Sequence, residues 1–85
     1  MDFTSVAEVR AALELVREHL TAGLADLDRA AQLLDEAGSM LADLSRNHQE
    51  SLVPPELARA GEELQQAEQA VRVAVTVVLE YSARL

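Results

Sequence analysis

The apolar positions along this chain fall into two registers of alternating three- and four-residue steps, separated by one interruption. In the first, Val6, Leu13, Leu20, Leu27, Leu34 and Leu41 recur every seven residues. Val9, Val16, Gly23, Ala30, Ala37 and Leu44 follow each of them three positions on. In the second register Leu57, Leu64, Val71, Val78 and Leu85 alternate with Ala60, Ala67, Ala74 and Tyr81. Such 3-4 spacing is the signature of a helical seam. In heptad letters, the first set of each register is a and the second is d. The a row is large throughout, and the d row is small in the middle.

Ser5-Val-Ala-Glu8 predicts a capping box at the start of the first helix. The interruption, Ser45 to Pro54, ends in two prolines. Pro55 suits the first turn of a new helix, and Glu56 there complements the helix dipole. The expected fold is therefore all-α: helix 1 about 5–44, a loop about 45–54 and helix 2 about 55–85, in a single domain over 1–85. The stretch Val71-Arg-Val-Ala-Val-Thr-Val-Val-Leu79 alternates like a strand, but Val71 and Val78 keep step with Leu64 and Leu85. Helix costs the β-branched run about 0.5 kcal/mol per residue. Burying a valine returns roughly 1.5 kcal/mol or more, so helix is expected wherever the valines are covered.

Two helices joined by this loop predict an antiparallel coiled-coil hairpin, in which an a residue faces a d residue. One register pairs Leu41 with Ala60, Leu34 with Ala67, Leu27 with Ala74, Ala37 with Leu64 and Gly23 with Val78. Each layer sets a large side chain against a small one, which lets the backbones approach at normal core density. A seven-residue shift preserves much of the pattern, but it draws Pro54 and Pro55 into the helical layers or lengthens the loop.

One alanine-rich seam leaves apolar residues over. Leu24, Leu33 and Met40 of helix 1 sit at e or g, as do Ala70, Val75 and Val77 of helix 2, with Val73 and Leu79 further round. Phe3, Leu15, Leu52 and Val53 extend this face. In the first register helix 1 also outruns helix 2, which leaves Val6, Val9 and Leu13 without an internal partner. Ordering costs about 1.5 kcal/mol per residue, which a single narrow seam does not offset in so short a chain. A second copy completing a four-helix bundle, or another helical protein, is the expected cover. The bland alternative is that these side chains only complete a core.

Composition narrows the function. Half the residues (49 %) are hydrophobic, but a single Phe and a single Tyr are the only aromatics, and Cys is absent. No thiolate chemistry or disulfide framework is available. All seven basic residues are Arg, scattered along the chain, and the net charge is −8. That balance repels phosphate backbones and anionic lipid, which argues against nucleic-acid or membrane partners. No apolar run approaches the ~20 residues of a membrane span, and Met-Asp-Phe-Thr-Ser is not a signal-peptide start. A cytoplasmic protein is the default, with signal-less export open.

No catalytic, cofactor or metal motif emerges, and no enzyme activity is expected. His19 falls at a g position and His48 in the loop; neither follows an acid by three residues, as a bundle metal site would want. Asp26, Asp28, Asp35, Glu36 and Asp43 form an acidic flank on helix 1, which reads first as a solvated face. A different reading of that flank is an acidic toxin-neutralising protein that masks a basic cleft.

The opening Ser5-Val-Ala-Glu-Val-Arg-Ala-Ala-Leu13 and the closing Tyr81-Ser-Ala-Arg-Leu85 resemble Ala-rich modules found alone or ahead of toxin domains in actinobacteria. The whole arrangement is similar to the small helical hairpins of type VII-like (ESX) secretion, including the WXG-type proteins. The loop carries no Trp-x-Gly, and Leu85 stands where the Tyr-x-x-x-Asp/Glu pattern would place an acid. Pro54-Pro55-Glu56 spells the tripeptide of the PPE family, at mid-chain rather than near the start. The resemblance implies an adaptor or partner of an exported effector, working through protein-protein interaction.

Overall fold

The computed structural model describes residues 5–85. They form two helices, α1 (Val6–Ser45) and α2 (Pro55–Arg84), packed against each other as an antiparallel hairpin. Both boundaries fall within a residue of the expected ones. Ser5 caps α1, its backbone extended and its hydroxyl accepting from the Glu8 N–H at 3.1 Å. Pro54 is extended and leads Pro55 into the first turn of α2, where Leu57 N–H donates to the Pro54 carbonyl at 3.1 Å. Residues 71–79 are helical. Gly38 does not end α1, which runs seven residues further. Phe3, placed on the open face by its sequence, lies outside the described residues.

The loop is tied by Ser45. Its hydroxyl donates to the Leu41 carbonyl (2.7 Å) and accepts from the Leu52 N–H (2.7 Å). That second bond folds the chain back sharply, so that Val53 becomes half-buried ahead of α2.

The helices meet one heptad away from the register first expected. The Cδ2 of Leu57 stands 3.4 Å from where a Cβ on Gly38 would be, although the expected layers set Leu57 beyond Leu41. Leu44, which should then have been covered by Leu57, is 59 % exposed. Val9 and Leu13, expected to project past the end of α2, are half-buried. The observed shift places Ala37 against Leu57, Ala30 against Leu64 and Gly23 against Val71, with Leu34 over Ala60 and Leu27 over Ala67. Large still meets small, because translation by a heptad maps each row onto itself. The shift covers two further turns near the start of α1 and uncovers the last two turns, 40–46, so the length of overlap is nearly the same. What sets the register is the loop, which the Ser45–Leu52 bond folds back early.

The covered strip is also three rows wide. Half-buried residues recur at a and d, and at e as well: Leu24, Ala31 and Gly38 on α1, Gly61, Glu68 and Val75 on α2. Alanine along d brings the axes close, and the neighbouring e row is thereby drawn under the partner helix. A methyl built on Gly23 or Gly61 would meet no heavy atom within 4 Å. Replacing either glycine by alanine is expected to raise stability by about 0.5–1 kcal/mol, because helical glycine carries an entropic cost and the space is open. Denaturant midpoints of the two single variants check this; a loss of stability in both would mean that the helices pack closer than observed.

Candidate interaction surface

The hairpin has no enclosed interior. Among the described residues, none is fully buried, and the best-covered side chains of the a, d and e rows keep partial contact with solvent. The accessible surface is 6763 Å², against about 4,900 Å² for a compact monomer of 9.2 kDa. Relative to an unfolded chain of about 13,300 Å², folding therefore removes only about half the surface. The radius of gyration is 19.8 Å, where a compact domain of 85 residues would have about 12 Å. Two parallel rods can cover each other on one side only.

The expected interface residues separate into two groups. Val6, Leu33, Met40, Val73, Val77 and Leu79 are exposed. Val9 and Leu13 are half-covered by the shifted register, and Leu24 and Val75 by the widened seam, so these four are drawn into the hairpin rather than left on the open flank. The exposed residues are joined by six others: Leu15, Val16, Leu44, Leu52, Tyr81 and Leu85. Their signal was present in the sequence. Leu15, Leu33, Met40 and Leu44 share rows d, g and c of α1, while Val73, Val77 and Tyr81 follow one another at four-residue steps on rows c, g and d of α2. Apart from Val6 and Leu85 at a, Leu79 at b and Leu52 in the loop, these residues face one side of the hairpin.

The opposite side is different in character. There the small e-row residues leave an open groove of about 530 Å³, floored by Leu34, Gly38, Leu57 and Gly61 and rimmed by Asp35, Ser39, Glu62 and Gln65. The two sides of the molecule thus differ: the e side holds a shallow polar-rimmed groove, while the g side carries exposed leucine, methionine and valine side chains among charged ones.

Charge plays no part in holding the helices together among the described residues. The ion pairs Glu14–Arg17, Asp43–Arg46, Arg59–Glu63 and Glu68–Arg72 each lie within one helix. Glu68–Arg72 is an i,i+4 pair at 3.6 Å. Glu80 and Arg84 have the same spacing, but there the Arg84 guanidinium donates to the Glu80 carbonyl at 3.4 Å and lies 4.9 Å over the Tyr81 ring. His19 Nδ1–H donates to the Leu15 carbonyl at 2.7 Å, which satisfies it within its own helix. No group of three His, Cys, Asp or Glu side chains among the described residues converges as metal ligands would, and no described helix is long and apolar enough to cross a membrane. Comparison with protein families, with curated proteins and with solved structures finds no match to the chain.

The hydrogen bonds from Arg17 hold the Glu14 carboxyl below its ordinary value of 4.5. A lowered carboxyl contributes stability above its unfolded titration point and loses it as the pH falls through the folded one. Glu14 is accordingly expected to titrate below the ordinary glutamate value in an NMR pH series, and Arg17→Gln to return it upward. A midpoint unmoved by Arg17→Gln would show that the pair does not persist in solution.

Proposed function

We propose that this chain is a non-enzymatic helical-hairpin module that works by association, with itself or with another helical protein, to complete a bundle. The observation that carries this reading is the surplus of about 1,800 Å² of accessible surface over a compact monomer of the same mass. Exposed apolar side chains on one side of a monomer mark an interaction surface, and the g side carries two groups of them: Leu33, Met40 and Leu44 toward the loop, and Leu15, Val73, Val77 and Tyr81 toward the other end. Catalysis is favoured by a dry, enclosed site, whereas the hollow between Leu34, Gly38, Leu57 and Gly61 is an open groove.

The resemblance of the two chain ends to Ala-rich actinobacterial modules supports a more specific role. In that role the module is an adaptor or partner of an exported effector in a type VII-like secretion system, and bundle formation is the event that presents it. The net charge of −8 is compatible with such traffic, since it keeps an apolar-sided hairpin dispersed until it meets its partner.

The reading is tested by introducing charge on each side. Leu33→Glu and Val77→Glu are expected to convert an associated species into a monomer in sedimentation experiments at micromolar concentration. Glu62→Ala, on the rim of the opposite groove, should leave the mass unchanged. If the unaltered chain sediments as a fully helical monomer, the reading fails.

A further inference from the structure

We infer that the partner is a second copy of this chain, docked antiparallel along α1 through its g and c rows, with the twofold axis crossing between Leu27 and Asp28. This rests on the interaction-module reading above and adds the occupant, its direction and its register. The rows d, g and c of α1 lie roughly a quarter turn from the hairpin seam, the geometry that a square four-helix bundle requires. All the residues paired below at g and c are exposed in the single chain.

Facing rows g and c three residues apart act as a and d of a second seam, so antiparallel registers are separated by seven residues. Three of them overlap enough of α1 to matter. The central one sets Met40 against the partner copy's position 15 (Leu), Leu33 against position 22 (Ala), Asp26 against position 29 (Arg) and His19 against position 36 (Glu). In the inner layers apolar meets apolar, Asp26 meets Arg29 and the His19 ring meets Glu36; only the end layer, Ala12 against Asp43, sets a charge beside an apolar residue, and the symmetry repeats every pair. On the flanking d row the same register sets Leu44 opposite position 9 (Val) and Ala37 opposite position 16 (Val), which again is large against small. Shifting one heptad in one direction puts Asp26 against Glu36 and Leu33 against Arg29. Shifting it in the other puts Met40 against Glu8 and His19 against Arg29. Each shift buries a charge beside an apolar group or a like charge, which costs more than the seam returns.

Parallel docking loses this match: it lays α1 of one copy over α2 of the other at equal height, which sets Leu33 against Arg59, Glu36 against Glu56 and Asp26 against Gln66. The area is also appropriate. The surplus of the two chains together, about 3,600 Å², falls within the roughly 2,000–5,000 Å² that obligate dimers bury.

The test uses the whole chain, which has no cysteine of its own. A nitroxide at Met40→Cys is expected to give a pair distance on the order of 40 Å, set by the helical rise and the distance of position 40 from the axis. Asp26→Arg should weaken the dimer at least about tenfold by opposing two arginines, and Asp26→Arg with Arg29→Asp should restore it. A dimer whose labels lie within about 20 Å overturns the antiparallel arrangement. Failure of the charge swap to restore association overturns the register. An unfolded monomer overturns the second copy as occupant while leaving the interaction-module reading intact, and a stable helical monomer overturns both.

Discussion

Everything in this molecule depends on how closely two helices can approach when one side of each contact is a methyl group. Alanines at 60, 67 and 74 stand opposite leucines of α1, and Ala37 and Ala30 stand opposite Leu57 and Leu64. Nesting of this kind gives density without bulk. It also narrows the seam, so the same device that holds the hairpin limits how much apolar surface the hairpin can remove from water. The absence of any fully buried side chain among the described residues is a direct consequence.

From that limit the rest follows. Close approach draws the e rows inward, converting Leu24 and Val75 from flank to seam, and leaves the g side as the uncovered one. The e side keeps glycines and polar rims; the g side keeps Leu33, Met40, Val77 and Tyr81. The helices attract each other through apolar contact alone, since the described ion pairs are all local. A structure held in this way has few means of resisting separation unless a further layer is added. The difference in chemistry between its two sides specifies where that layer goes.

Much of this was legible in the sequence for physical reasons that can be named. Ser5 and Glu8, Pro54 and Pro55, and the unbroken 3-4 spacing determine where helices start, where they stop and which face is apolar; all are local signals. The helical state of residues 71–79 followed from register continuity against a modest intrinsic cost. The heptad offset was not legible in the same way. A seven-residue translation carries each row onto an equivalent row, so layer chemistry alone barely separates the alternatives. What separates them is the Ser45–Leu52 hydrogen bond, which ties the loop so that Val9 and Leu13 are covered in place of Leu44. The inward movement of Leu24 and Val75 depends on interaxial distance, which no single helix encodes. The open flank itself was visible, but its membership needed both of those facts.

The central claim is that the hairpin is half of a larger core. Its most direct test is the concentration dependence of thermal unfolding followed by far-ultraviolet circular dichroism. Folding coupled to association makes the midpoint rise with protein concentration. Over a hundredfold range the midpoint is expected to climb by several degrees, with helicity falling away at the dilute end. A midpoint that stays fixed across that range, with full helicity at the lowest concentration, would show that the two helices suffice alone and would contradict the account.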